Sequence, residues 1–459
     1  MLIETKIDAD SARSALRITA TEMPADASNW NDCLQHAAIT DIGMRRSNNQ
    51  DSHSVVPAGD IENWMDRGHL FVVCDGMGAH AAGELASKLA ADGIPHAYYR
   101  YRDESPPEAL LKAIRETNAQ IHTRGRANSD FHNMGTTASA MLLLPQGALV
   151  AHVGDSRVYR WRQDVLEQLT FDHSLVWEMR AAGQFPEGDP NGLNVPSNVI
   201  TRSLGPHPAV QVDLEGPLPV HVGDTYLLCS DGLTGKVSDD EIGPILGALS
   251  PLEAAQVLVD LANLRGGPDN ITVIVISITG QRIATGAVDA EPLSVGGGKN
   301  EKGVHPALWV VIGICFMAAL GLLISGLIVE AALAAMGGIV AAAVGVIQRF
   351  GNLFPDKEVR LTGRKRLGHG PHTNLQCPAN ASFVNKLDEI GEELRRAAQA
   401  AKWALSWEPF DECVRNAQEA AASQDHTEAV RRYAQAISYI MQETRSAQMQ
   451  SASDSSIEY

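Results

Sequence analysis

Between about residues 38 and 278, short apolar runs alternate with longer amphipathic stretches. The runs at 69–74, 148–153, 158–161, 225–229 and 271–278 are rich in β-formers and predict strands. The stretches 79–100, 107–124 and 251–265 repeat at helical spacing and predict helices. Glycine punctuation over 280–303, including Gly296-Gly297-Gly298, reads as a flexible linker. Residues 307–329 then carry no charge, a run long enough to cross a bilayer. Glu330 interrupts it, and 331–347 is a second uncharged run rich in Ala and Gly, with a core or interfacial helix as its alternative. Lys299 and Lys302 precede the pair, and Arg349, Lys357, Arg360, Arg364, Lys365 and Arg366 follow it. That charge pattern favours a transmembrane hairpin with both flanks in the cytosol over a single span. The basic segment 357–366 fits either an anionic lipid surface or a plain topology signal. Beyond residue 382 the pattern is helical again, and 412–439 resembles one tetratricopeptide-like helix pair.

The resulting division is a polar N-terminal extension (1–37), a large α+β domain (38–278), a Gly-rich linker (279–306) and transmembrane segments (307–348). A basic juxtamembrane linker (349–381), a helical region (382–450) and a disordered tail (451–459) follow. The net charge of −18 over 459 residues excludes general nucleic-acid binding, which needs a basic surface. The cysteines Cys33, Cys74, Cys229, Cys315, Cys377 and Cys413 form no CxxC pair. Their spacing suits neither a disulfide framework nor a zinc site, and points to a reducing cytosol. Residues 1–32 hold no apolar core of a secretory signal.

Candidate chemistry comes from where aspartates fall. Asp75, Asp155 and Asp231 close apolar runs, Asp269 stands just before one, and Asp51 ends a polar approach that begins at Asp41. Any one of these reads as turn chemistry, since Asp75-Gly76, Asp231-Gly232 and Pro268-Asp269-Asn270 are ordinary turn formers. Several at the lips of strands in one domain imply a carboxylate cluster, which repels itself unless a cation sits within it. Oxygen ligands without His or Cys select Mg²⁺ or Mn²⁺, and such a cluster suits two-metal phosphoryl chemistry. Arg46, close to Asp51, supplies a cationic clamp for phosphate.

The motifs then run Asp41-x-Gly43-x-x-Arg46-x-x-Asn49-Gln50-Asp51, Val73-Cys74-Asp75-Gly76-Met77-Gly78-Ala79-His80 with Ala82-Gly83-Glu84, and Gly135-Thr136-Thr137. Val153-Gly154-Asp155-Ser156-Arg157, Leu169-Thr170-x-Asp172-His173-Ser174 and Thr201-Arg202-x-Leu204-Gly205 follow. Cys229-Ser230-Asp231-Gly232-Leu233 and Gly266-Gly267-Pro268-Asp269-Asn270-Ile271-Thr272 close the series. In content and order, over about 38–278, they resemble the bacterial PP2C (PPM) metal-dependent serine/threonine protein phosphatases. The resemblance implies an αββα sandwich of two antiparallel sheets flanked by helices, with Mn²⁺ or Mg²⁺ in a cleft at one end. It implies Asp75 and the Gly76 carbonyl at a two-ion centre, Asp231 and Asp269 on the first ion, and Asp51 on metal or its water. Asp155 with Asp231 would hold a third, weaker ion, and Arg46 would bind the substrate phosphate. A hydroxide bridging two ions would attack phosphorus in line, without a phospho-enzyme. The segment 174–203 matches a mobile flap.

Departures from the pattern are Gln50, where many members have Glu, and Met77, where animal members place a catalytic His. His80 is a candidate acid for the leaving oxygen, or a structural residue at the helix start, and His173 fits a loop organiser. Two other readings are a sporulation-type regulatory phosphatase and a catalytically weak phosphoprotein-binding scaffold at the membrane. The expected partners are phosphorylated proteins, among them a Hanks-type kinase or its substrates, with the C-terminal helices open to a protein partner. The expected location is the cytoplasmic membrane, with the phosphatase domain facing the cytosol.

Overall fold

The computed structural model describes residues 30–78, 81–184, 196, 199–296, 306–350, 359–361, 365–400 and 405–455. The chain falls into two compact units, one of 1–102, 109–292 and 362–459, the other of 103–108 and 293–361.

The first unit is built on two six-stranded sheets, antiparallel throughout. One runs in the order Leu34–Asp41, Ile271–Ile278, Thr225–Cys229, Arg157–Arg162, Val165–Gln168 and Thr373–Gln376. The other runs Asp51–Val56, His69–Met77, Ala138–Leu144, Gly147–Val153 and Asp213–Leu218, with Gly135–Thr136 paired to the end of His69–Met77. Strands covered on both faces need apolar side chains at every position. Ile271–Ile278 shows why: Ile274 and Ile276 pack with Phe71, Val73 and Met141 between the sheets, while Val273 and Val275 face the outer helices.

Helix Ala82–Arg100 lies on Asp51–Val56 and His69–Met77, and helices Asp239–Ala248 and Pro251–Leu264 cover the opposite sheet. Ser238 and Ser250 open those last two helices, each with a glutamate three residues on, Glu241 and Glu253. Each pair satisfies amide donors that the first helical turn leaves open. The α+β sandwich expected from the motifs is therefore present.

The C-terminal region departs from expectation. Thr373–Gln376, placed by the sequence in a linker, adds the edge strand beside Val165–Gln168. The helices Glu408–Ala422 and His426–Ser455 pack on each other, and the pair does not stand alone. Val430, Tyr433 and Ile437 are buried in one cluster with Ile245, Leu258 and Leu261 of the sandwich. The last helix runs through Ser455, where a disordered tail from 451 was expected; 456–459 lie outside the described residues. Of the presumed linker 279–306, Ile283 and Ala284 are buried, and 297–305 lie outside the described residues.

Ile437→Ala removes a fully buried side chain and should cost about 2–5 kcal/mol. Chemical denaturation reads it as a lower midpoint for the main transition. An unchanged midpoint would mean that the C-terminal helix contributes nothing to that unit.

In the second unit, Ser294–Val295 pairs with Val359–Arg360, and helices Pro306–Ile324 and Ile328–Phe350 pack on each other. The transmembrane expectation for 307–348 is corrected here: no helix among the described residues is long and apolar enough to cross a membrane. The uncharged run is not one helix, because Ser325 and Gly326 break it, Gly326 at φ +76°. What remains is a helix of 19 residues, reaching about 28 Å against a hydrocarbon core of about 30 Å. The second helix takes Glu330 into its first turn, and ten of its 23 residues are Ala or Gly.

Candidate active site

The carboxylates singled out in the sequence are carried by strand ends that the two sheets bring together. Antiparallel register sets Asp51 directly opposite Asp75. Asp231 begins the short helix Asp231–Thr234, where the strand Thr225–Cys229 runs out. Asp269 sits in the turn into Ile271–Ile278, and Asp155 follows the end of Gly147–Val153. Asp51 is raised by the charges of Asp231 and Asp269, Asp75 by those of Asp51, Asp231 and Asp155, and Asp155 by that of Asp231. The fold thus joins all five in one electrostatic group.

Burial is the largest cause that pushes the Asp51 carboxyl up to about 7, and the charges of Asp231 and Asp269 add to it. Hydrogen bonds from Ser230 and Thr272 oppose the shift without cancelling it. Burial, followed by the charge of Asp231, also raises Asp155 to about 7. Asp75 is raised well above the carboxylate range by burial and by its three carboxylate neighbours, and its side chain is hydrogen-bonded to Asp231. Burial and Asp269 raise Asp231 as well. Protons here offset repulsion that a cation would otherwise relieve.

Two atoms sharpen the case for a cation. Asp51 Oδ1 and Asp155 Oδ1 are buried without a hydrogen-bond partner among the described residues. Buried acceptors of this kind are costly unless something positive meets them. Yet no three His, Cys, Asp or Glu side chains among the described residues are gathered tightly enough to hold one ion as they stand. An all-protein cage does not fit this spread group. Ions that keep several waters and take only one or two carboxylates each do fit, which is the habit of Mg²⁺ and of Mn²⁺ in oxygen sites.

The supporting hydrogen bonds come from residues that the sequence reading did not single out. Ser230 Oγ donates to Asp51 Oδ2 at 2.7 Å and accepts from the Thr272 amide at 3.0 Å. Thr137 Oγ1 accepts from the Asp75 amide at 2.8 Å and meets Ser156 Oγ at 2.7 Å. Asn270 Oδ1 accepts from the Gln50 amide at 2.8 Å, while its Nδ2 donates to Ile42 O and Asn48 O. Each lies beside or within a motif that carries a candidate ligand, the one signal that pointed to them. Gly76 is required by closeness: a Cβ there would meet Gly83 O at 2.2 Å and Gln50 O at 2.4 Å.

Arg46 reaches the group from the loop that follows Leu34–Asp41. Its Nη2 pairs with Asp269 Oδ2 at 2.8 Å, its Nε donates to Pro268 O at 3.3 Å, and its side chain is 46% exposed. The Arg46 guanidinium therefore stands at the edge of the carboxylates, open to solvent. His173 organises a loop, as expected. Its Nδ1 accepts from the Gly154 amide at 2.9 Å, which leaves the Nε2 proton for Asp213 Oδ2 at 3.0 Å. His80 lies outside the described residues, as do 185–195 and 197–198 of the expected flap.

A family model described as protein phosphatase 2C matches residues 36–176. The serine/threonine phosphatase stp of Listeria innocua is 38% identical over 243 residues, 52% of this chain and 93% of that protein. The crystal structure of the Mycobacterium tuberculosis serine/threonine phosphatase PstP/Ppp shares 35% identity with a TM-score of 0.46, covering 54% of this chain and 99% of that one. The catalytic domain of the serine threonine protein phosphatase PstP, solved with two manganese ions, shares 34% identity with a TM-score of 0.45, covering 54% of this chain and 98% of that one.

Proposed function

The chain belongs to the protein phosphatase 2C family of metal-dependent serine/threonine protein phosphatases, and from that premise we propose how its own residues divide the work. The observation that carries the assignment is the group of Asp51, Asp75, Asp155 and Asp231, largely buried, with the half-exposed Asp269 at its edge, mutually repelling and incompletely hydrogen-bonded. Asp75, Asp231, Asp269 and the Gly76 carbonyl would hold two Mn²⁺ or Mg²⁺ ions, with Asp51 on the ions or their water. Asp155 would join Asp231 for a third. When bound, the ions supply Lewis-acid charge against phosphate oxygens and activate a water as nucleophile.

The protein's own groups then orient and shield. Arg46, exposed and free to swing from Asp269 toward a substrate, holds the phosphate through its planar fork of donors. Ser230, Thr137 and Asn270 fix the carboxylates and the loop ahead of Asp51, so little reorganisation accompanies the reaction. Gln50 contributes its backbone, donating to Asn270 Oδ1 and accepting from the Gly76 amide, a role that its missing charge leaves intact. His80 keeps its proposed role as acid for the leaving oxygen. The substrates are phosphorylated proteins, and a Hanks-type serine/threonine kinase or its targets is the pairing we propose. A scaffold without catalysis is disfavoured, since it would have no need to keep five repelling carboxylates.

The test is turnover of a phosphothreonine peptide by the full chain after chelation, with and without Mn²⁺, beside Arg46→Ala. Turnover that requires Mn²⁺, with kcat/KM lowered about 100-fold in the variant, is the expected result. Metal-independent turnover, or none from folded and Mn²⁺-loaded protein, would overturn it.

A further inference from the structure

The segment beyond residue 365 lies outside the family resemblance, yet its last helix reaches the base of the loop that carries Arg46. Helix His426–Ser455 lies along Pro251–Leu264 with a polar seam beside its apolar stripe. Arg431 Nη2 donates to Ala248 O at 2.9 Å, and Gln435 Nε2 donates to Glu253 Oε1 at 3.1 Å. Further along the same helix, Arg445 Nη2 stands 3.1 Å from Asp260 Oδ1 and 3.4 Å from Asp41 Oδ2. One guanidinium therefore stands between two carboxylates as an ion pair, without a hydrogen bond from Nη2 to either, and Asp260 is fully buried.

Asp41 is the first residue of the loop motif. Its other oxygen, Oδ1, accepts from the Gly43 amide at 2.8 Å and from Asn263 Nδ2 at 3.1 Å. The turn so formed holds Gly43 at φ +79°, a conformation that suits glycine, with so little room that a Cβ would meet Asp269 O at 2.1 Å. The next residue is tied down too, the Met44 amide donating to Gly267 O at 2.8 Å. Arg46 follows two residues later. Without a cation between them, Asp41 and Asp260 repel, and the carboxylate free to move is Asp41, which is less buried than Asp260. Its displacement would release the Gly43 turn and let Arg46 wander.

We propose that Arg445 is a positioning residue for phosphate binding: it clamps Asp41 from the C-terminal helix and so fixes the loop that presents Arg46. The role rests on the reading of Arg46 as the phosphate-holding group. It makes the C-terminal helix part of the catalytic apparatus of this chain, acting through Asp41 rather than touching substrate.

The experiment compares full-length wild type, Arg445→Met and Arg445→Lys in Mn²⁺. It measures KM and kcat for a phosphothreonine peptide, the inhibition constant of inorganic phosphate, and the thermal midpoint. The expected result for Arg445→Met is a rise of about tenfold in both KM and the phosphate constant, at unchanged Mn²⁺ requirement, with most of it recovered by lysine. A merely structural role would lower the thermal midpoint and leave phosphate affinity alone. Unchanged KM and phosphate constant beside an active wild type overturn the proposal while leaving the phosphatase reading intact. Should Arg445→Met fail to fold, Asp260→Asn is the second variant. It leaves Arg445 to Asp41 alone, so phosphate affinity stays level or improves; a loss of threefold or more overturns the clamp. A wild type without Mn²⁺-dependent turnover removes the phosphatase reading and this role together.

Discussion

Asp75→Asn should abolish turnover, with kcat down by about 10³-fold or more, while making the metal-free protein more stable. The two effects share one cause. Asp75 faces Asp51 across the strand pair and is raised by Asp51, Asp231 and Asp155 in turn. An amide of the same shape keeps a hydrogen bond to Asp231 and removes the carboxyl that stays in this group only by taking up a proton. The chelated variant therefore folds without that proton uptake and unfolds at a higher temperature than chelated wild type. The same substitution takes away the carboxylate most central to ion binding, so added Mn²⁺ should lift the variant's midpoint much less. Calorimetry in chelator and in Mn²⁺, beside peptide turnover, reads all of this on one preparation. A variant less stable than wild type in chelator would show that Asp75 is held by packing rather than by charge. A variant that kept turnover would remove Asp75 from the centre.

What the sequence made legible follows from how each feature is encoded. The strands at Thr225–Cys229 and Ile271–Ile278 appeared with their bounds because burial on both faces writes an unbroken apolar run. Asp51–Val56 escaped notice because Ser52, His53 and Ser54 blur its period, and it lies at the sheet edge. Thr373–Gln376 could not be read locally, since its partner Val165–Gln168 lies some two hundred residues earlier. The candidate ligands were legible as aspartates at strand ends, whereas Ser230, Thr137 and Asn270 look like any turn residue until the fold sets them against those aspartates. The error at 307–348 came from counting uncharged residues without weighing Ser325-Gly326, a pair that ends a helix without adding a charge. The docked C-terminal helix was missed because its apolar stripe predicts some partner and cannot say which. Its partners in the sandwich are the helices Asp239–Ala248 and Pro251–Leu264, and the second carries the buried Asp260 for Arg445.

The stability of the chelated protein should fall between pH 6.5 and 8, and Mn²⁺ should cancel the fall. Asp51 and Asp155 titrate near 7 in the folded chain, against an ordinary value of 3.8. Between those values the folded state holds protons that the unfolded state has already released, so stability decreases as pH rises, and the raised Asp75 and Asp231 act in the same sense. Over this window the two contribute a loss of about 2 kcal/mol. Buried His69 and His152 work in the opposite sense, since burial pushes both down to about 3. Their unfolded forms gain protons below about pH 6.5, which destabilises the fold on the acid side. That opposition reaches into the test window, because at pH 6.5 the unfolded histidines are still half protonated, and it offsets part of the carboxylates' fall up to about pH 7.5. Cations replace protons in the carboxylate group, so stabilisation by Mn²⁺ grows as pH rises through the same range. Thermal unfolding in chelator should drop by about one to two degrees from pH 6.5 to 8, and the drop should vanish in Mn²⁺ and shrink in Asp51→Asn. A chelated midpoint that stayed level across the window would mean that Asp51 and Asp155 are already ionised at 6.5. The carboxylates would then be held apart by the backbone, with no need of protons or cations to keep them together.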